Sequence, residues 1–584
     1  MRGLRAALAV TTACCALPVF AQPTVPTRQE IDRPPPPSVE QPRARLTVEG
    51  GVERAPCALD RPEYQNIRFT LQDVAFDDLR GLNAAQLRAA WAQYQGQEIN
   101  VAAICEIRDR AATMLREAGY IAAVEVPEQR IEGGRVRFTV LMAKLVGIRV
   151  RGEAGRSERL IARYLNRLTG QEVFNRYDAE RYLLLAGDLP GYEVRLALRS
   201  AGAARGEVIG EVTVVHRPVT VDLNVQNLGS HELGRWGALL RAQIYGLTGL
   251  GDRTTLAVYS TAETDEQQTV QVGHDFRVGS EGLAFGAQLT YSWASPDLGL
   301  PAVNIDSRTL FATVEASYPF IRRQSRTLRG SIGLDVIDQD IEFNTIPINR
   351  DRLRVAFARL NFDALGLAPG NPAYTPAEPR WRLGISAEAR QGLSIFGASG
   401  CGAGLVACLA PGVVPPTRLE GDPTATIFRG GVTGEYRPIP KLTFAFSLNG
   451  QYSAHPLFSF EEFSAGNYTA GRGYDPGALL GDSGIGLQAE LRYGRKFPRR
   501  PDEFVAEPYV FFDHAWVWNQ DLILALGRQQ LSSVGGGVRA AWGDRFRIDV
   551  FVAEPLDRLP FQTSRGDTRF LVSLTTRLWP WRSR

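Results

Sequence analysis

Two short stretches late in the chain carry the residue types best suited to a specific polar contact: Gly471-Arg472-Gly473-Tyr474 and Phe511-Phe512-Asp513. A guanidinium is a planar fork of N–H donors that meets a carboxylate through directional, charge-assisted bonds. Flanking glycines let the backbone turn tightly around such a group. This is the chemistry of fastening one segment to another, not of catalysis. The residues that do catalysis are scattered. His216, His231, His274, His455 and His514 lie far apart, and there is no Gly-x-Ser-x-Gly elbow, HExxH pair or phosphate-binding loop. Glu461-Glu462 reads as a solvated loop pair. With 5 histidines and no paired CxxC elements, the chain offers no metal-ligand pattern. The expectation is a protein that is not an enzyme, with no metal and no cofactor.

The elements that must position Arg472 and Asp513 read as strands. From Val219 onward the helical period disappears and alternation takes over. Leu442, Phe444, Phe446, Leu448 and Tyr452 share one face, and Lys441, Thr443, Ser447, Asn449 and Gln451 the other. Ile485, Leu487, Ala489, Leu491 and Tyr493 likewise oppose Gln488, Glu490 and Arg492. Segments of about ten residues suit a tilted strand crossing hydrocarbon, and only a closed sheet satisfies every backbone amide there. The polar face carries repeated charges, as a wet lumen permits, and Tyr245, Trp293, Tyr318, Tyr493, Trp516, Trp518 and Trp542 sit at strand ends as in interfacial girdles. About sixteen such strands fit between Val219 and Leu578. Long connections at Leu365 to Pro379, Leu393 to Thr424 and Ser453 to Asp482 contrast with short ones such as Pro438-Ile-Pro440, and long loops usually lie outside. Asp513 shares parity with Phe511, Tyr509 and Glu507, so it points into the lumen, while Val510, Phe512 and Trp516 face lipid.

Ahead of the strands lie two mixed units. In the first, Ile67 to Val74 is a strand, Asn83 to Tyr94 and Val101 to Gly119 are helices, and Tyr120 to Val126 and Arg135 to Leu141 are strands. The β-α-α-β-β order recurs with Leu145 to Val150, Glu158 to Leu168, Tyr177 to Leu185, Tyr192 to Leu198 and Val208 to Val215, an internal duplication. Residues 22–54, with Pro34 to Pro37, form a Pro-rich, extended and mobile linker with no convincing helix. Residues 1–21 read as a secretory signal, with Arg2 and Arg5 before an apolar core and a small-residue cleavage site at Val19-Phe20-Ala21. Four cysteines then remain in an oxidising compartment. Cys401 and Cys408 sit in a Gly/Pro-rich stretch where they can close a small surface loop, and Cys57 and Cys105 can pin an N-terminal extension to a helix. A formal net charge of +3 with no basic run argues against nucleic acid.

In these features the chain resembles the two-partner secretion outer-membrane transporters (TpsB; ShlB/FhaC/HecB), a family within the BamA-like superfamily. The resemblance covers nearly all of the mature sequence. Gly471-Arg472-Gly473-Tyr474 is similar to the family's (V/I)RGY motif, with Gly471 where Val or Ile is usual, and Phe511-Phe512-Asp513 to its (F/G)xD motif. Gln226-Asn227-Leu228-Gly229-Ser230 and Gly249-Leu250-Gly251-Asp252 are similar to its barrel-opening stretches. The resemblance implies α+β periplasmic POTRA domains followed by an all-β transmembrane barrel of about 16 antiparallel strands. On this reading residues 55–143 and 144–217 are the POTRA domains and 218–584 the barrel. It implies that the sixth extracellular loop folds into the lumen, where Arg472 meets Asp513, and that Cys57 and Cys105 staple the first POTRA domain. The implied function is export of a large secreted client of the TpsA type, caught by strand addition at the edges Tyr120 to Val126 and Tyr192 to Leu198. Further implied partners are outer-membrane lipid and, during biogenesis, the barrel-assembly machinery. An insertase of the BamA/TamA type and a passive porin remain as alternatives. Two departures stand out: no plug helix is evident before residue 55, and the chain runs past its last strand into Trp579-Pro-Trp-Arg-Ser-Arg584.

Overall fold

The computed structural model describes residues 25–32, 45–47, 57, 59, 61–64, 66–202, 205–299, 303–368, 370–400, 405–520, 527–560 and 562–581. The signal segment 1–21 and Cys401 lie outside these residues.

Sixteen antiparallel strands, each paired with its sequence neighbour, close into a barrel from Val219–Gln226 round to Arg569–Trp579. Alternation makes this possible. On Leu442–Ser453, Phe444, Phe446, Leu448 and Tyr452 face outward and exposed, while Thr443 and Gln451 are buried inside. Closure removes the sheet edge that hydrocarbon does not tolerate. The closing pair has six register pairs with a shift at Val221/Asp222. Side chains reinforce it. Asn224 Nδ2 donates to Ser573 Oγ, Leu574 O and Thr575 Oγ1 at 2.9–3.2 Å. Asn227 donates to Phe570 O at 2.9 Å and accepts from the Val572 amide at 2.7 Å.

Two α+β units precede the barrel. In the first, a sheet of Asp73–Asp77, Arg135–Met142 and Ala122–Glu125 packs on the helix Ala103–Glu117, whose Ile104, Ile107, Ala111 and Leu115 fill the core. The expected single strand from Ile67 to Val74 is instead two. Arg68–Thr70 pairs with Glu98–Asn100, and Asp73–Asp77 with Arg135–Met142. The expected helix Asn83 to Tyr94 is made of 3-10 turns, Ala84–Ala90 and Ala92–Tyr94, with Asn83 capping through its side chain. Cys57 and Cys105 form a disulfide with a Cα–Cα separation of 6.0 Å. Cys408 is also disulfide-bonded.

The second unit lies against the barrel turns 246–252, 279–282 and 323–325. Arg322 holds Asp188 through both carboxylate oxygens at 2.6 and 2.7 Å, Tyr182 donates to Glu281 at 3.1 Å, and Arg156 donates to Leu247 O at 2.8 Å. This unit marks those turns as periplasmic. By strand alternation the loop 454–482 is then extracellular, and 367–380 is periplasmic rather than the outside loop its length suggests. Tyr374 ties 367–380 to Arg437 O at 3.1 Å, and the Lys496 amide ties to Glu378 at 2.7 Å.

Two expectations for residues 22–54 need correction. Arg28–Ile31 is a short helix inside the lumen, its N-terminus boxed by Thr27 N and Oγ1 donating to Glu30 at 2.9 and 3.0 Å. Ile31 is buried among Phe311, Ile337, Leu353, Val355, Phe458 and Phe460 of the wall and the sixth loop. Burial against distant strands, not helix propensity, orders so short a turn. Further on, Arg45–Thr47 adds as a parallel strand to Tyr192–Ser200, Arg45 opposite Arg195. The edge Tyr192 to Leu198 is therefore occupied by the chain's own N-terminal segment.

Candidate functional site

The sixth loop, 454–482, enters the barrel and is tied to its wall at three levels. At the tip, the Arg472 amide and Nε both donate to Asp513 Oδ2 at 2.9 Å, and Nη2 donates to Oδ1 at 2.6 Å. Nη1 donates to Glu490, and the guanidinium carbon lies 3.7 Å from the centroid of the Phe511 ring. Parity on Phe504–Trp518 sets this up. Phe511 and Asp513 face inward and are buried, while Phe512 is 42% exposed on the outside. Asp513 is fully buried and Arg472 6% exposed, so the pair is dry. Arg539 supports it, donating to both Glu490 oxygens at 2.8 and 2.9 Å and to Asp549 at 3.0 Å. Tyr474 fixes the tip's far side, its hydroxyl donating toward Ser532 O at 3.0 Å and accepting from the Asp557 amide at 2.9 Å.

The glycines of the motif are required by contact. Gly471 has φ +118°, and an added Cβ would lie 2.4 Å from Leu531 Cδ1. A Cβ on Gly473 would lie 2.9 Å from Pro555 N in the wall. The departure at Gly471 thus fits the close approach of this loop to Leu531.

Halfway down, Glu461 is not solvated, as its sequence context suggested, but 3% exposed. It accepts from Arg390 Nε and Nη2 at 3.0 and 2.8 Å, from Arg429 Nη2 at 2.9 Å and from Arg28 Nη1 at 2.7 Å. Arg390, fully buried, also donates to Asp335 at 2.8 Å and to Glu388 at 2.9 Å. A buried acid survives only where cations and hydrogen bonds replace its water, and this ring supplies them. At the loop's root, Asp482 accepts from Arg418, in the connection between Trp381–Gly392 and Thr426–Ile439, at 2.6 Å, from the Leu457 amide at 2.6 Å and from the Gln520 amide at 2.7 Å. Glu462 accepts from the same Arg418 at 2.9 Å.

Of the residues singled out from the sequence, Gly471, Arg472, Gly473, Tyr474, Phe511 and Asp513 come together at one place. The four strand-edge residues do not form a surface for side-chain recognition. Leu198 is fully buried and Tyr192 is 7% exposed, stacked on His216 with ring centroids 4.4 Å apart. Val126 packs against the first unit's core, and Tyr120 bridges to Asn175 while its hydroxyl donates to Gly81 O at 2.9 Å. Of the two expected edges, Ala122–Glu125 is the one that ends its sheet, paired on one side with Arg135–Met142 among the described residues. Sequence reasoning missed Arg28, Asp335, Arg390 and Glu461. Strand parity was a signal for Arg390, which falls on the polar face of Trp381–Gly392, but not for Arg28 in its short helix or Glu461 in its loop.

Comparison with known proteins agrees with this architecture. Residues 212–540 match the family model described as haemolysin secretion/activation protein ShlB/FhaC/HecB, and residues 69–142 match the POTRA domain, ShlB-type. The heme/hemopexin transporter protein HuxB of Haemophilus influenzae strain 86-028NP is 22% identical over 535 residues, covering 88% of this chain and 89% of that protein. Among solved structures, CdiB from Escherichia coli superposes with a TM-score of 0.70 at 16% identity, covering 90% of this chain and 94% of that one. CdiB from Acinetobacter baumannii gives 0.62 at 17% identity, covering 91% and 95%. With its periplasmic POTRA domains and its sixteen-stranded outer-membrane barrel, the chain belongs to the ShlB/FhaC/HecB family of haemolysin secretion/activation proteins.

Proposed function

We propose that this protein exports a large secreted partner of the TpsA type through its barrel, and that the sixth loop and the N-terminal segment hold the lumen closed at rest. The observation that carries this reading is what fills the lumen. Both occupants are held by ion pairs and short contacts rather than by strand pairing with the wall, so each can leave without opening the barrel. A passive porin has no use for such latches. An insertase needs a yielding seam, whereas here Asn224 and Asn227 bridge the first and last strands.

Capture begins at the POTRA domains. The Ala122–Glu125 edge offers unpaired backbone groups to an extended client, while addition at Tyr192–Ser200 first requires Arg45–Thr47 to leave. Because Arg45–Thr47 lies on the same segment as the luminal helix Arg28–Ile31, client binding at that edge pulls on the plug. The client then threads the lumen as Arg472 releases Asp513. Folding of the partner outside supplies direction, since no nucleotide site is recognisable in the sequence. Outer-membrane lipid surrounds the barrel, and the barrel-assembly machinery inserts it.

The test is co-expression with the large repetitive protein expected from a neighbouring reading frame, with its appearance in the medium as readout. Export that depends on this chain and falls in Arg472→Ala and Asp513→Ala supports the reading. Export unchanged in both variants removes the loop lock from it, and loss of many outer-membrane proteins on depletion favours an insertase instead.

A further inference from the structure

Arg28 sits in a built site. Its Nη1 donates to Glu461 at 2.7 Å and its Nη2 to Asp335 at 3.2 Å. Its guanidinium carbon lies 5.1 Å from the Phe311 ring centroid and 5.8 Å from that of Phe460. Asp335, Glu461, Phe311 and Phe460 are each no more than 3% exposed, so two dry carboxylates and two aromatic rings converge on one planar cation. A guanidinium satisfies both carboxylates with separate N–H groups while meeting the ring faces. An ammonium, a compact and strongly hydrated point charge, does this poorly.

The charge balance says what happens when Arg28 leaves. The connected network holds four cations, Arg28, Arg359, Arg390 and Arg429, and four anions, Glu315, Asp335, Glu388 and Glu461. Among these ion-paired groups the count is 4 − 4 = 0 with the Arg28 side chain in place and 3 − 4 = −1 when that side chain alone withdraws. Asp335 and Glu461 both accept from Arg390 Nη2, so the surplus charge falls on two carboxylates already drawn to one nitrogen. Vacating the site is therefore costly, whereas exchanging one guanidinium for another is not. Cavities of about 300 and 600 Å³ flank the segment, both lined by Arg28 and Asp32, and give a second cation room to approach.

We propose that Asp335, Glu461, Phe311 and Phe460 form a guanidinium-binding site, and that an arginine side chain of the polypeptide in transit takes the place of Arg28 there. No bond is made or broken covalently; one guanidinium displaces another. The client half of this rests on the export reading above, but the site itself is tested without a client.

The experiment records ion conductance of the purified full-length protein in a planar bilayer while ethylguanidinium or ethylammonium chloride is added at equal concentration. The fraction of time open rises with ethylguanidinium and not with ethylammonium. Arg28→Gln is open without either, and Glu461→Gln abolishes the difference between the two cations. Phe460→Leu, which keeps every charge, narrows that difference about two- to fivefold, the share of one ring. Equal responses to the two cations, no response to either, or a preference for ethylguanidinium that survives in Glu461→Gln overturns the proposal. The two readings fail separately. Guanidinium-gated conductance without export would sink the export reading alone, and export without that conductance would sink this site alone.

Discussion

Replacing Asp513 by alanine should undock the tip of the sixth loop. Arg472 makes three hydrogen bonds to Asp513, one through its amide and two through its guanidinium, and it is 6% exposed. Removing one partner of a buried pair costs about 3–5 kcal/mol, because the other charge is left uncompensated. The lower end applies here, since Glu490 stays beside Arg472 and Arg539 stays beside Glu490. About 3 kcal/mol is roughly a 10²-fold shift in the docking equilibrium. The loop as a whole should stay in the lumen, because the Glu461 and Asp482 latches are untouched. The assay is thiol labelling of Ala470→Cys, a tip position 1% exposed, by a membrane-impermeant maleimide in outer-membrane vesicles. Cys57, Cys105 and Cys408 are disulfide-bonded and silent. Where closing outpaces labelling, the rate follows the undocked population and should rise roughly 10²-fold in the Asp513→Ala background. An unchanged rate would refute the view that this ion pair holds the tip.

Gly471→Val should also release the tip, because the side chain meets Leu531 and the backbone stands at φ +118°. Adding Leu531→Ala should relieve only the contact and restore part of the protection, read by the same labelling. Cross-linking the seam through Asn224→Cys and Thr575→Cys, which are register partners, should leave export intact; lost export would point to lateral opening. Burial holds His216 below the ordinary histidine value at the joint between the second POTRA unit and the barrel. A depressed folded value means that stability is full above the unfolded pKa of about 6.5 and falls as pH drops through it. Protease sensitivity of the joint should therefore rise between about pH 7.5 and 5.5, and His216→Phe should flatten that dependence.

The barrel was legible because a strand's period of two is a local signal repeated along Val219 to Leu578, and parity alone put Asp513 inside. The tip of the sixth loop was legible because its glycines and arginine are adjacent in sequence. What failed to show was set by contacts between distant segments. Arg28–Ile31 carries a single apolar residue, Ile31, and no repeat, and its ion-pair partners are 307 and 433 positions away. Glu461 looked solvated because nothing near it in sequence announces Arg390. The pairing of Arg45–Thr47 is backbone to backbone and leaves no side-chain signature. The break between Arg68–Thr70 and Asp73–Asp77 reflects two different partners for one apolar run.

Site-specific photocross-linking during export tests the central claim most directly. A photoreactive residue at Gln488, inside the barrel wall, should capture the partner in transit, and one at the adjacent lipid-facing Leu487 should not. Continued export with no luminal adduct, or equal capture from both positions, would contradict a route through the barrel.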